Sequence, residues 1–247
     1  MKIIFSDFDG TLTHNRMLGS QFFDILNLTH KNNAEFIVVT GRSISWGHFL
    51  LTHFPMSVVI TEGGGAILLS DNKGNIKEEL LISENDQLVL DEITMNLMQQ
   101  FPGCPLSVDS FGRKTDRAIE FLGQDEKMID EIKLFLCEKQ VNFNQSDVHI
   151  NFWLGDHTKY TAVEKFLYRY RTGVGLDNVL YFGDSLNDES MFEKLPHTVG
   201  VSNIESVLGK LKHHPKVILK GEKNIAAKGV LNYLKTKVFI DNSAGLT

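Results

Sequence analysis

The sequence predicts an α/β protein in which a parallel-sheet core domain is interrupted by a smaller inserted α/β domain. In the first third of the chain, short apolar runs alternate with amphipathic helical patterns, as in βαβ units with parallel strands. From about residue 83 the pattern changes to helices and half-buried strands, and the earlier alternation returns near residue 156. We therefore expect a discontinuous core, residues 1–82 and 156–247, and an inserted domain, residues 83–155.

The first core segment contains the patterns of three buried strands, two helices and a hairpin. Apolar runs predict strands at 2–6, 35–40 and 58–61, with helices near 16–32 and 43–53. Strands at 66–70 and 76–82 flank the turn sequence Asp71-Asn72-Lys73-Gly74-Asn75, which predicts a β-hairpin.

The inserted segment combines two helical patterns with short strands. Ser83 has the character of a helix cap, and the helical spacing after it ends at Pro102-Gly103. A second helix is expected around residues 128–135, and strands at 106–109, 117–122 and 148–154. Beyond the insertion we expect helices at 158–171 and 224–237 and strands at 179–182, 199–201 and 217–219.

Charge and composition exclude several classes of protein. The 25 Lys and Arg against 31 Asp and Glu give a net charge of -6, and no long basic run is present, so nucleic acid is not expected as a ligand. No segment has the roughly 18 uncharged apolar residues of a spanning helix, so we expect neither signal peptide nor membrane anchor. Cys104 and Cys137 are too few for a disulfide framework, which suits a reducing cytoplasm.

Acidic residues follow the first and a later core strand. Asp7 and Asp9 are two residues apart, so both can point to one side before Gly10 permits a tight turn. Asp184 and Asp188 follow the strand expected at 179–182, and parallel sheets place their ligand sites at such strand ends. Clustered carboxylates without nearby His or Cys favour a hard cation, Mg²⁺ before Zn²⁺.

Four motifs in order resemble those of the haloacid dehalogenase superfamily of phosphohydrolases. They are Asp7-Phe8-Asp9-Gly10-Thr11-Leu12-Thr13, Thr40-Gly41-Arg42, Lys159 and Gly183-Asp184-Ser185-Leu186-Asn187-Asp188. The position of the insertion resembles subclass IIB, whose C2B cap also occurs in sucrose-phosphate, trehalose-phosphate and mannosyl-3-phosphoglycerate phosphatases. The resemblance implies a Rossmann-like core with a C2B cap.

The resemblance also implies roles for the acidic residues. Asp7 would attack phosphorus and form an aspartyl-phosphate, with Mg²⁺ held by Asp7, the backbone carbonyl of Asp9 and Asp184. Asp9 would act as general acid and then as general base. Asp188 belongs to the expected metal site, where it would fix Lys159 or a metal-bound water rather than touch the ion, and Asn187 would assist there and contact substrate.

The remaining motif residues imply contacts with phosphate or substrate. Thr40 and the backbone around Gly41 would hold phosphoryl oxygens, although Thr-Gly can simply end a strand. Lys159 would place its ammonium on the phosphoryl group and Asp7, although Tyr160 stands where the family usually has Gly. Arg42 would either meet substrate or pair with an acid.

Substrate choice would depend on the cap. Arg113 or Arg117 facing the cleft would suit an anionic or polyhydroxylated leaving group, and the alternative is a solvated turn. Trp153 would stack on a sugar or serve in packing. Gly64 stands where close relatives often have Asn.

We therefore expect a cytoplasmic Mg²⁺-dependent phosphatase of a small phosphorylated metabolite, most simply a sugar phosphate, acting as a monomer or small homo-oligomer. A phosphomutase of the phosphomannomutase type is a first alternative, which would need a cationic cap site for a second phosphate. A catalytically silent binding protein is the second.

Overall fold

The computed structural model describes residues 2–120, 123, 125–145 and 149–240. Contacts within the chain divide it into two compact units. Unit 1 consists of the residues up to Thr40 and those from Val163 onward, and unit 2 is Gly41–Ala162. Unit 2 contains the whole expected insertion together with residues 41–82 and 156–162, while the boundaries near 83 and 155 stay a prediction.

Unit 1 is built on five parallel strands, β1 (Ile3–Ser6), β4 (Glu35–Val39), β11 (Val179–Gly183), β12 (Thr198–Gly200) and β13 (Val217–Ile218). Their order across the sheet is β13-β12-β11-β1-β4. Strand β1 lies in the middle, with Ile3 opposite Val179 on one side and Glu35 on the other. The central strands are apolar along their length because both of their faces are buried.

Helices α1 (Ser20–Lys31) and α7 (Ala226–Tyr233) confirm two of the expected helical segments, and they pack against each other. The short helix α6 (Glu189–Lys194) was not predicted. Helix α5 (Lys159–Tyr170) belongs to unit 1 from Val163 onward. Helix α1 begins later than predicted because a small ribbon, β2 (Thr13–His14) and β3 (Met17–Leu18), precedes it.

Unit 2 begins with a helix and an antiparallel meander. Helix α2 (Ile44–His53) is followed by β5 (Val58–Thr61), β6 (Ala66–Ser70) and β7 (Ile76–Leu80). In the turn between the last two strands, the Asp71 carboxylate accepts hydrogen bonds from the backbone N–H groups of Lys73 and Asn75 at 2.8 and 2.9 Å. The predicted hairpin is confirmed.

The rest of unit 2 is a three-stranded antiparallel sheet with two helices packed on one face. The sheet order is β8-β10-β9, from β8 (Asp116–Glu120), β9 (Asn142–Gln145) and β10 (His149–Trp153). The helices are α3 (Glu84–Gln100) and α4 (Glu126–Glu138), and Ser83 caps α3 through a capping box with Asp86. Their shared core includes Leu90, Leu97, Ile132, Leu136, Ile150 and Phe152.

Two strand predictions in this region were inaccurate. The strand expected at 106–109 is wrong: Leu106 makes a single bridge with Ile119, and Ser107 then bonds Asp109, which turns the chain away. Strand β9 was missed because Asn142, Asn144 and Gln145 give it a polar composition. Residues 121, 122 and 148, at the ends of two other predicted strands, lie outside the described residues.

Across the described ranges, no helix has the combined length and apolar character needed to span a membrane.

The core of unit 2 gives a direct test of its packing. Leu97 is completely buried in α3, so Leu97→Ala should lower the free energy of unfolding by about 2–5 kcal/mol through lost apolar contact and the cavity left behind. Met95 lies on the same helix but is 59% exposed, and Met95→Ala should change the free energy by no more than about 0.5 kcal/mol. Urea denaturation followed by circular dichroism measures both; equal effects would contradict this packing.

Candidate active site

Three aspartates of unit 1 meet at the carboxyl ends of β1 and β11. The two strands are parallel neighbours with Ser6 opposite Phe182, and the Asp7 N–H donates to the Phe182 carbonyl at 2.9 Å. Asp7 and Asp184 therefore leave the sheet at the same edge. One carboxylate oxygen from each of Asp7, Asp184 and Asp188 lies within 4.8 Å of the other two.

The Asp184 carboxylate is held by neutral donors from two other loops. The Thr11 hydroxyl donates to Oδ1 at 2.7 Å, and the Asn203 side-chain amide donates to Oδ2, also at 2.7 Å. Gly10 passes directly beside it with φ +83°, and a Cβ at Gly10 would lie only 2.2 Å from Oδ2. The glycine of the first motif is thus required both by its backbone conformation and by this close approach.

Asp188 is fully buried and organises the loop that carries Asp184. Its Oδ2 accepts from the backbone N–H groups of Asp184 and Ser185 at 2.9 and 3.0 Å, and Oδ1 accepts from the Tyr181 hydroxyl at 2.5 Å. Burial, and then the charge of Asp188, raises the pKa of Tyr181 well above its usual value, so this phenol stays a donor. Asn187 also belongs to the loop and accepts from the Ser185 hydroxyl at 2.8 Å.

The donor chemistry of the three-aspartate cluster fits a hard divalent cation. Asp7 is 3% exposed and Asp188 is fully buried, and carboxylates brought together with so little solvent repel one another unless a cation or proton is added. Oxygen donors of this kind suit Mg²⁺. Asp9 is exposed and its carboxylate is outside the cluster, so a metal contact through its backbone carbonyl stays a prediction.

Thr40 reaches the same edge of the unit 1 sheet. Strand β4 is parallel to β1 on the side opposite β11, with Val38 opposite Ser6, and Thr40 follows the last residue of β4. Its side chain is buried. The structure therefore brings Thr40 to the edge that carries the three aspartates, as the second motif predicts.

The other motif residues lie in unit 2. Lys159 is the first residue of α5 and is buried. The backbone of Gly64 packs against the backbone of Thr158 and Lys159. Gly64 has φ +107°, and a Cβ there would lie 2.2 Å from the Thr158 carbonyl oxygen. Both the positive φ and this close contact require glycine at position 64. The Arg42 guanidinium, next to Gly41, stacks 4.2 Å from the centre of the Trp46 ring.

The two cap arginines are held by ion pairs within unit 2. Arg113 is buried; it donates to Asp116 at 2.7 and 2.8 Å, to Asp109 at 3.0 Å, and to the Gly41 carbonyl at 3.2 Å. Although burial opposes it, the charges of Asp116 and Asp109 raise the pKa of Arg113 above its usual value. Arg117 pairs with Asp91 on α3. A substrate contact for either arginine stays a prediction. The alternative of a solvated turn is wrong for Arg113, because this side chain is buried.

Sequence reasoning missed a buried carboxylate at the centre of unit 2. Both Glu62 oxygens accept from Lys114 N–H, one also accepts from Ile44 N–H at 3.1 Å, and the other accepts from Thr115 N–H and hydroxyl, both at 2.6 Å. Burial, and then the charge of Asp116, raises the pKa of Glu62 to about 7. No local pattern marks this residue, because these partners lie between 18 and 53 positions away.

Comparisons with known proteins point to one enzyme family. A family model described as haloacid dehalogenase-like hydrolase matches residues 4–101 and 108–233. A phosphoglycolate phosphatase from Methanobrevibacter smithii is 22% identical over 221 residues, which are 83% of this chain and 87% of the relative.

Solved structures show the same fold. A protein from Thermoplasma acidophilum has a TM-score of 0.71 at 19% identity, covering 95% of this chain and 96% of the other. A structure described as a sugar phosphatase of subclass IIB has a TM-score of 0.67 at 14% identity, covering 94% and 99%. At these identities the likeness concerns the fold, and it confirms the predicted α/β architecture.

Gly10→Ala tests the close approach of the first motif to Asp184. The added Cβ would displace the Asp184 carboxylate, so calorimetry should show Mg²⁺ affinity at least about tenfold weaker, the loss typical when a ligand's surroundings change. Gly74 is the matched control: it has φ +81° but no atom within 4 Å of an added Cβ. Gly74→Ala should therefore lower stability by about 1 kcal/mol and leave Mg²⁺ affinity unchanged. Unchanged affinity in Gly10→Ala would contradict the site geometry.

Glu62 predicts a pH dependence of stability. Because its folded-state pKa of about 7 lies above the ordinary value of 4.5, the folded state binds more protons between these values. Its contribution to stability is full below about pH 4.5 and is lost as the pH rises through 7, by up to about 3 kcal/mol. The unfolding free energy of wild type minus that of Glu62→Gln should therefore decrease, by up to this amount, as the pH is raised from 4.5 to 8. A difference independent of pH would refute the assignment.

Proposed function

Because this chain belongs to the haloacid dehalogenase-like hydrolases, we propose that it is a Mg²⁺-dependent phosphatase of a small phosphorylated metabolite, with Asp7 as nucleophile. The match covers both segments of the predicted core and most of the insertion, so the family resemblance of the motifs is confirmed. The observation that carries the proposal is the three-aspartate cluster, in which Asp7, Asp184 and Asp188 approach within 4.8 Å at two adjacent strand ends.

The reaction requires a nucleophile, an acid–base group and neutralisation of charge. An Asp7 oxygen attacks phosphorus, the bond from phosphorus to the ester oxygen breaks, and Asp9 gives its proton to the departing alkoxide. Asp9 then takes a proton from the water that attacks the aspartyl-phosphate, which releases inorganic phosphate and restores Asp7. The exposure of Asp9 suits a group that must exchange a proton with an alcohol and with water.

The acidic cluster supplies the binding site for the cation. Asp7 and Asp184 would hold Mg²⁺ directly, and Asp188 would keep the Asp184 loop in place through its bonds to the Asp184 and Ser185 N–H groups. The bound ion supplies positive charge that offsets the repulsion between a phosphate dianion and an anionic nucleophile.

Thr40, Gly41 and Lys159 complete the proposed phosphate site. Thr40 would donate its hydroxyl, and Gly41 its backbone N–H, to phosphoryl oxygens, and Lys159 would supply a positive charge. Their support is the family resemblance, together with the position of Thr40 at the edge of the sheet that carries Asp7.

We propose a sugar phosphate as the substrate class. A phosphomutase needs a cationic cap site for a second phosphate, yet Arg113, Lys114 and Arg117 are each paired with a carboxylate within unit 2. The same pairing disfavours a small acid such as phosphoglycolate, the substrate in the name of one relative. Trp153, half-buried on the β10 face opposite the helices, is suited to stack on a sugar ring. This residue and the name of the subclass IIB sugar phosphatase support a polyhydroxylated leaving group.

We also propose a cytoplasmic location. Cys104 and Cys137 are both free thiols, as is usual for proteins of reducing compartments.

Release of inorganic phosphate tests the proposed function. Wild type should release phosphate from one or more members of a panel of hexose, disaccharide and glycerate phosphates when Mg²⁺ is present. Asp7→Asn should lose at least about 10⁴-fold in kcat, because the amide cannot form the acyl phosphate. Asp177→Asn is the matched control, since the Asp177 side chain is 95% exposed, and it should keep full activity.

The same assay separates the alternatives. Transfer of phosphate between positions of one sugar, without release, would indicate a mutase. Binding of a panel member without any turnover would indicate a silent binding protein. Full activity in Asp7→Asn would remove the mechanism, and activity that survives complete chelation of divalent metal would remove the role of Mg²⁺.

A further inference from the structure

The side chain of Asn203 joins three separate segments of unit 1. It lies in the short 3-10 helix Ser202–Ser206 that follows β12. Its amide Nδ2 donates to the Gly10 carbonyl at 3.0 Å and to Asp184 Oδ2 at 2.7 Å, and its Oδ1 accepts from the Ala226 N–H at 3.2 Å. The loops after β1 and β11 are thereby tied to the first residue of α7.

We propose that Asn203 is a positioning residue for the metal site, acting through Asp184. This inference rests on the proposed function, because it assigns Asp184 to the bound Mg²⁺. The one amide fixes the Asp184 carboxylate relative to the loop that follows the nucleophile Asp7, so the start of α7 becomes part of the scaffold of the site.

The hydrogen bonds determine the orientation of the Asn203 amide. Its two neighbours at Nδ2 are a carbonyl and a carboxylate, which only accept, whereas Ala226 offers an N–H, which only donates. Rotation of the amide by 180° would place oxygen against two acceptors and lose all three bonds. The three partners therefore fix which side of the amide carries the nitrogen and which carries the oxygen.

An uncharged donor suits this position better than a basic residue. Thr11 and Asn203 satisfy one oxygen each of the Asp184 carboxylate and add no positive charge. The cluster of Asp7, Asp184 and Asp188 consequently keeps its negative charge for the cation. Lysine or arginine at position 203 would satisfy Asp184 but compete with the metal ion for it.

The backbone at the start of α7 is consistent with a fixed attachment point. Ala226 has φ +49°, a left-handed conformation that alanine seldom adopts. Such conformations persist where the surrounding structure determines them, and here the Ala226 N–H is directed at Asn203 Oδ1.

The test compares Asn203→Ala with Asn232→Ala in the full chain. Asn232 lies on α7, and its amide donates to Asn224 Oδ1 at 2.9 Å, away from the aspartates. We expect the Mg²⁺ Kd from calorimetry to rise about 10- to 100-fold in Asn203→Ala. The kcat on the sugar phosphate found active for wild type should fall, while KM changes little. Asn232→Ala should match wild type in all three quantities.

Asn203→Asp guards against a folding defect in the alanine variant. It keeps an oxygen for the Ala226 N–H but places a second carboxylate directly against Asp184, so without Mg²⁺ it should unfold below the wild-type temperature. Measured below that unfolding temperature and at saturating Mg²⁺, its kcat should be at least about tenfold lower, because it cannot donate to Asp184. A structural role alone would lower the unfolding temperature and leave Kd and kcat unchanged.

The outcomes separate this inference from the proposed function. Wild-type Kd and kcat in both Asn203 variants, with an active wild type, would overturn the role of Asn203 alone. Mg²⁺ binding by wild type without phosphate release would remove the proposed function, and the Kd values would still decide whether Asn203 positions Asp184. Absence of Mg²⁺ binding by wild type would overturn both.

Discussion

The mutual repulsion of Asp7, Asp184 and Asp188 is the constraint on which the site depends. Two unit charges about 5 Å apart repel by roughly 3 kcal/mol at an effective dielectric constant of about 20, and three carboxylates here have oxygens within 4.8 Å. Adjacent parallel strands force the approach, because β1 and β11 deliver their last residues to one edge in register. The arrangement is stable only with partners that hold the carboxylates, and it strongly favours a cation.

The acids beside Arg113 in unit 2 and those of the cluster in unit 1 are held by different kinds of donor. In unit 2, Asp109 and Asp116 are paired with the Arg113 guanidinium, which neutralises them and leaves them structural. In unit 1, the Thr11 hydroxyl, the Asn203 amide and the Tyr181 phenol hold Asp184 and Asp188 through neutral donors. Neutral donors fix geometry without cancelling charge, which is what a cation site and an anionic nucleophile require.

Local sequence was sufficient where one segment determines its own structure. Continuous apolar runs predict the buried strands, and the spacing of Asp7 from Asp9 and Gly10 marks the first motif. The polar edge strand β9, the buried Glu62 and the role of Asn203 were not predictable in this way, because each depends on residues distant in the chain. The pairing of Arg113 was partly predictable. Acidic residues at positions 109 and 116 are spaced for ion pairs with it on a turn, and this spacing favours an internal pair over a substrate contact.

The proposed mechanism requires Asp7 to carry the phosphoryl group during turnover. The most direct measurement is a single-turnover reaction with a substrate labelled on phosphorus, stopped in acid, followed by peptide mapping of the labelled protein. We expect label on the peptide that contains Asp7, chased into inorganic phosphate when the reaction is allowed to continue, and absent in Asp7→Asn. Phosphate release at the wild-type rate without any label on that peptide would contradict it.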